Sequence, residues 1–370
     1  MSPYSDYLPY SEGEDNFEEF LKGVSTQLHI KPSSGHLRFL PVPSEEALGE
    51  YYNGTFIRSL EPPTPQKEFT PAVLDVAKGV RSHMQSLAPF PDNFVAHDIG
   101  CGFGALVHAF QQLGIQASGN EQNKDWINAA NPYCGFRLTA EPLSIALKAL
   151  SLPVDLFTIL HVLEHLPDPQ ATLSTAAEYL SDKGLIYICV PNAHSFRALM
   201  DGRRKDPCYM FPQHLNYFTP LSLITMLADV GLEVVEMNTR PLSETDMTGC
   251  NRIHSALGMR SEEQIDANAW LNAQCANLLG GELYVLATSK TNLHSKRDLE
   301  AGAKAQRAFQ NFNTARAQRS FEQVSAKYLH EIRSSLFSIA HSQARQLKLI
   351  QEWNQLPWYK RAFLKMPIAS

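Results

Sequence analysis

The chain has 370 residues, of which 44% are hydrophobic and 19% charged, and it carries a formal net charge of −6. That is the composition of an ordinary soluble protein, long enough for one α/β domain of roughly 200 to 250 residues with additions at both ends. No apolar run approaches the roughly 20 residues of a bilayer span, and the six scattered cysteines, with no Cys-x-x-Cys pair, suggest reduced thiols and neither a disulfide frame nor a zinc site.

Residues 1 to about 30 are polar and read as loosely ordered. They lack the basic-then-apolar order of a signal peptide, so a cytoplasmic location is expected. Leu37 to Pro43 reads as extended, because each proline holds its neighbour out of the helical region. A short helix capped by Ser44 or a neighbour follows. Glu61-Pro-Pro-Thr-Pro reads as a rigid spacer, and residues 70–87 as a helix entering the main domain. From residue 94 strands and helices alternate, which predicts a parallel sheet covered on both faces. The strands are expected at 94–98, 116–120, 136–139, 156–160, 185–190 and 232–238. A helix at about 220–230 ends at Gly231. A last strand at 282–288 follows an insertion of about 40 residues. The implied division is an N-terminal extension (1–69), a main domain (70–290) and a basic helical tail (291–370).

Val95-Ala-His-Asp-Ile-Gly-Cys-Gly-Phe-Gly carries the most information. An apolar strand end, a carboxylate, three glycines at alternate positions and then a helix let a ligand approach the backbone closely. A phosphate loop would follow its glycines with Lys-Ser or Lys-Thr, and a dehydrogenase loop would space them Gly-x-Gly-x-x-Gly. A carboxylate suits a cofactor with positive charge or an amino group. The pattern Asp98-x-Gly100-x-Gly102-x-Gly104 resembles motif I of the class I S-adenosylmethionine (SAM)-dependent methyltransferases.

That resemblance implies a Rossmann-like, seven-stranded, mostly parallel sheet with helices on both faces and an antiparallel last strand, and SAM as cofactor. It gives Asp98 and the loop Gly100, Cys101, Gly102 and Gly104 to the methionine end. Glu121, with Gln122 beside it, falls to the ribose, and Glu141 to the adenine border. The segment Leu160-His-Val-Leu-Glu-His-Leu resembles the family's post-strand-4 stretch, which puts His161 beside the methionine or the transfer site and leaves His165 to organise the loop. His214-Leu-Asn-Tyr-Phe resembles a segment of a subgroup that includes sugar methyltransferases. His214 is thus the first candidate for base or substrate orienter and Tyr217 the second, while a purely structural role for His214 stands equally open. Tyr51 and Tyr52 read as core, with closure over SAM as the alternative. No metal ligand set is expected.

Residues 291–370 hold 13 Lys/Arg against 5 Asp/Glu, a +8 tail on a −14 body. Phe321, Val324, Tyr328, Ile332, Leu336 and Ile339 recur at helical spacing. The tail admits two readings, a helical hairpin that packs or self-associates, and docking on a membrane surface through Trp353, Trp358, Tyr359, Lys360, Arg361 and Lys365. The acidic body argues against a nucleic-acid partner. The acceptor class implied is a sugar or cell-surface glycan precursor. The alternatives are a quinone-like or other small molecule, and a scaffold that has lost catalysis.

Overall fold

In the computed structural model the described residues are 4–10, 26–51, 63–87, 93–150, 152–195, 198, 209, 213–240 and 278–289. The insertion after residue 240, Tyr52 and the basic tail with its two readings lie outside them.

The main sheet has seven strands: β4 (Val95–Ile99), β5 (Gln116–Asn120), β6 (Leu138–Thr139), β7 (Val154–Leu160), β8 (Leu180–Pro191), β10 (Leu232–Arg240) and β11 (Glu282–Ser289). Their order across the sheet is β10-β11-β8-β7-β4-β5-β6. β5, β4, β7 and β8 pair in parallel, as do β5 and β6. β11 is inserted between β10 and β8 and runs antiparallel to both. The helices that cross over are α4 (Ala105–Gln112), α5 (Lys124–Ala130), α6 (Leu143–Lys148), α7 (Pro169–Glu178) and α8 (Pro220–Asp229), with the entering helix α3 at Pro71–Leu87.

Burial on both faces explains why β4, β7, β8 and β11 read as largely apolar runs. Ala96, Leu156, Leu185 and Leu286 pack with α3, α4 and α5 through Met84, Phe110 and Ile127. Their neighbours Val95, Phe157, Ile186 and Val285 point the other way, against Leu147 of α6, Leu173 of α7 and Leu223 and Leu227 of α8. Thr219 starts α8 with a capping box shared with Ser222, and Gly231 ends the turn after it at φ +79°.

A second sheet is the part the sequence reading missed. Its order is β1-β2-β3-β9, built from β1 (Leu8–Pro9), β2 (Gln27–Lys31), β3 (His36–Leu40) and β9 (Asn216–Tyr217). The expectation that residues up to about 30 are loosely ordered is therefore corrected for 27–31, which pair with β3 along their full length. Leu28, Leu37, Phe39 and Tyr217 form its core. Of the expected spacer only residues 63–65 are described, and the last of them, Pro65, opens a short helix, α2 (Pro65–Glu68), as a proline can at a first helical position. Ser44 caps α1 (Glu45–Glu50), accepting from the Ala47 amide at 3.2 Å. Among the described residues no helix is long and apolar enough to cross a membrane.

A candidate SAM site at the carboxyl edge of the sheet

β4 is the middle of the parallel run and is buried at every position, yet two of its five residues are polar. Each finds a partner on a neighbouring strand, as burial demands. His97 Nδ1 lies 2.8 Å from Ser118 Oγ and its Nε2 3.1 Å from Asn120 Oδ1, both on β5. Asp98 Oδ1 accepts a hydrogen bond from Thr158 Oγ1 of β7 at 2.6 Å. Burial pushes the Asp98 carboxyl up to about 7, against the lowering effect of that bond and with a further rise from Glu121.

The chain then turns through three left-handed glycines, Gly100 at φ +67°, Gly102 at +53° and Gly104 at +74°. The amides of Gly100 and Cys101 both donate to the Asn120 carbonyl, at 2.9 and 3.0 Å, which pins the turn to the end of β5. Only glycine fits the two outer positions. A Cβ on Gly100 would stand 2.5 Å from Val162, and one on Gly104 would stand 2.5 Å from Leu138. At Gly102 a Cβ would meet nothing within 4 Å, so the middle of the turn borders open space.

Glu121 follows β5 and closes one side of that space. Its carboxylate accepts from the amides of Gly102 at 3.3 Å and Asn123 at 3.1 Å. Asn123 in turn caps α5. Gln122 and Glu141 are exposed, Glu141 at the end of β6 where its amide donates to Thr139 Oγ1 at 3.2 Å. The structure thus brings Asp98, the glycine turn and Glu121 together. Glu141 is placed one strand further out.

His161 opens the loop after β7 with φ +55°, a strained value for a residue with a side chain. Its Nε2 lies 3.1 Å from Glu282 Oε1 at the start of β11 and 3.5 Å from Cys189 Sγ on β8. Its Nδ1 lies 3.5 Å from Oε1 of Glu164. Hydrogen bonds with Cys189, Glu164 and Glu282 push His161 up to about 12, so with both nitrogens engaged it is a cation and not a free base near neutrality. Glu164 sits in a single 3₁₀ turn, Leu163–His165, with its carboxylate buried. His165 donates from Nδ1 to the Gln213 carbonyl at 2.8 Å, the loop-organising role expected of it.

His214 and Tyr217 are each only 6% exposed, which sets them inside the wall of the site and not on its surface. The His214 ring stands 4.7 Å from that of His165 and 6.4 Å from that of Tyr217. The backbone between them is tied to the post-β7 loop: the Leu215 amide donates to the Glu164 carbonyl at 2.7 Å, and Asn216 Nδ2 to the Leu166 carbonyl at 2.8 Å. Tyr51 is buried, and its hydroxyl accepts from Gln213 Nε2 at 3.2 Å, which joins α1 to the same segment.

Residues 90–237 match the family model described as a methyltransferase domain. The matched segment is a methyltransferase domain. The methyltransferase domain is similar to the ubiquinone biosynthesis O-methyltransferase of Vibrio cholerae, 24% identical over 168 residues that cover 42% of this chain and 68% of the relative. The corresponding protein of Aeromonas salmonicida is 28% identical over 167 residues, covering 42% and 70%. Among solved structures, a SAM-dependent methyltransferase from Archaeoglobus fulgidus is 21% identical, covers 60% of this chain and 96% of its own, and has a TM-score of 0.41. Magnesium protoporphyrin IX methyltransferase from Synechocystis, with bound S-adenosylhomocysteine, is 14% identical, covers 67% and 100%, and also has a TM-score of 0.41.

The residues at this edge fit S-adenosylmethionine, the cofactor that the motif I resemblance implies. Two carboxylates on adjacent strand ends suit a ligand that offers an ammonium, a sulfonium and ribose hydroxyl donors. The open space beside Gly102 suits close approach to the backbone.

Sequence reasoning passed over Thr158, Cys189, Glu164 and Glu282 as site residues. Glu164 was visible in the Leu-Glu-His segment. The others carry no local signal, since strand register alone brings them to the edge.

Proposed function

We propose that this chain is an O-methyltransferase for a small hydroxylated acceptor of the quinone-like class. The observation that carries the reading is the edge beyond β7 and β8, where the partly exposed His161 is held between Glu164 and Glu282, next to the Asp98 and Glu121 cradle. In this reading Asp98 and the amides from Gly100 to Gly104 hold the methionine end and Glu121 the ribose. When bound, SAM supplies a methyl group on a sulfonium that leaves as a neutral thioether. What remains for the protein is to align the acceptor oxygen and to take up its proton. His161, as a cation, stabilises the oxygen as its negative charge develops, and Glu282 is held ionised by His161 and Tyr284 and takes the hydroxyl hydrogen bond. His214 and Tyr217 act as positioning residues, since their burial sets them behind the loop that carries His161. The names of the two relatives above, both O-methyltransferases of ubiquinone biosynthesis, support an oxygen acceptor on a ring.

A sugar or glycan acceptor is the second reading, favoured by the His214-Leu-Asn-Tyr-Phe segment. Methyl transfer from labelled SAM to a panel of catechols, hydroquinones and nucleotide sugars separates the two. We expect turnover on the phenols. His161→Ala should lower kcat by about 10²-fold or more while the affinity for S-adenosylhomocysteine stays within about twofold, and Asp98→Ala should abolish that affinity. Turnover confined to nucleotide sugars would overturn the acceptor assignment. Equal cofactor binding with and without Asp98 would overturn the site and leave the scaffold reading.

A further inference from the structure

The geometry points to a zinc site with an open coordination position, formed by Nε2 of His161, Sγ of Cys189 and Oε1 of Glu282. These three atoms lie within 4.8 Å of one another. Zinc bonds of about 2.3 Å to sulfur and about 2.0–2.1 Å to nitrogen and oxygen, at tetrahedral angles, set nitrogen and sulfur about 3.5 Å apart and nitrogen and oxygen about 3.3 Å apart. The separations here are 3.5 Å from His161 to Cys189 and 3.1 Å from His161 to Glu282. The donor set is a nitrogen, a thiol and one carboxylate oxygen. A thiolate selects a borderline-soft cation such as Zn²⁺ over Mg²⁺ or Ca²⁺.

The groups behind the ligands are arranged as a metal site needs. Metal-bound imidazoles generally hand their other nitrogen to a carboxylate. Here Nδ1 faces Glu164 Oε1 at 3.5 Å, and that carboxylate is buried, with no hydrogen-bond donor on its other oxygen. The Tyr284 hydroxyl donates to Glu282 Oε2 at 2.8 Å, which leaves Oε1 turned to His161. Tyr284 and Cys189 are themselves paired across β11 and β8, and the His161 amide donates to the Cys189 carbonyl at 2.9 Å. Two of the three ligands therefore sit on rigid strands. The third is held in a left-handed backbone conformation that nothing in the local sequence calls for, and strain of that kind collects at functional sites.

His161 is 44% exposed, so the cluster is reached from solvent, and in the methyl-transfer reading the acceptor enters there. Binding releases the Cys189 thiol proton to solvent and gives a neutral complex of Zn²⁺ with one thiolate and one carboxylate. With the metal bound, His161 is a neutral ligand and Glu282 is coordinated, so a Lewis acid at that position would replace the imidazolium in holding an acceptor hydroxyl as its alkoxide or phenolate, a role that rests on the methyl-transfer reading above.

The test uses the full-length protein, stripped with a chelator and titrated with Co²⁺ and then Zn²⁺. One equivalent of Co²⁺ should produce a thiolate-to-cobalt charge-transfer band and strong four-coordinate visible bands, and Zn²⁺ should displace both. Cys189→Ser should abolish the charge-transfer band, whereas Cys101→Ser and Cys134→Ser keep it. Glu282→Gln and Glu164→Gln should weaken binding by about 10- to 100-fold, which covers the case in which Cys189→Ser fails to fold. No band in the native protein, or a band that survives Cys189→Ser, overturns the site. Full turnover in chelator-stripped protein that still binds Co²⁺ overturns the Lewis-acid role alone. The spectra do not depend on turnover, so failure of the acceptor assignment leaves them unaffected.

Discussion

At Gly102 an added methyl group would enter open space, while at Gly100 it would run into Val162 at 2.5 Å. Both residues are left-handed, so alanine costs about 1–2 kcal/mol in backbone strain at either position. At Gly100 overpacking adds about 1–3 kcal/mol more. Gly102→Ala should therefore fold, with a melting temperature only a few degrees lower, yet its methyl group stands in the cradle and should cut S-adenosylhomocysteine affinity at least tenfold. Calorimetry and thermal melts on both variants check this. A Gly102→Ala protein that binds like the native one would mean that the cofactor does not approach this turn. Asp98, the glycines and Glu121 were legible in the sequence because each follows a strand end within one local pattern. His161 was legible too, from the post-strand-4 stretch, but its grouping with Cys189 and Glu282 was not, because three separate strand ends supply one side chain each and no spacing rule connects residues 161, 189 and 282. The thiols read as scattered for the same reason.

The seven central strands were legible as elements, β4, β7, β8 and β11 because burial on both faces makes each a largely apolar run, and β5, β6 and β10 from their place between helix and turn signals. The small sheet was not. Gln27–Lys31 is a mixed polar segment, and β9 is two residues long with its partner, β3, near the other end of the chain. Only tertiary pairing defines them. That pairing has a consequence for the site, because Phe39 of β3 is fully buried against Tyr217, with ring centroids 6.1 Å apart, and its amide donates to the Leu215 carbonyl at 3.1 Å. The N-terminal sheet is thus a clamp on the segment that contains His214. Phe39→Ala should cost about 3–5 kcal/mol of stability. It should also raise KM for the acceptor and lower kcat while cofactor affinity is kept, and Phe39→Leu should restore most of both. A parallel loss of cofactor affinity would show that the small sheet supports the whole edge and not the acceptor side.

At the scale of the whole molecule, three buried groups set opposing responses to acid. Burial drives His36 down to about 3, with help from Arg38 and Lys31, and drives His97 down to about 4. Both stay neutral when folded, so their stability contribution is present above about pH 6.5 and is lost as pH falls from there. Each loses about 1.4 kcal/mol per pH unit. Asp98 acts in the other sense. Its raised value near 7 means that the folded state takes up a proton before the unfolded state does, which adds about 1.4 kcal/mol per unit as pH falls from 7 towards 4. Two losses against one gain leave a net fall of about 1.4 kcal/mol per unit below pH 6.5 and a level region above 7 from these groups. Asp98→Asn removes the gain, so the same slope should roughly double. Denaturant unfolding of the native and Asp98→Asn proteins at intervals from pH 4.5 to 8 measures both slopes. Equal slopes would mean that Asp98 is already ionised across this range, and the buried carboxylate at the centre of the site would then have to be stabilised by more than the single hydroxyl of Thr158.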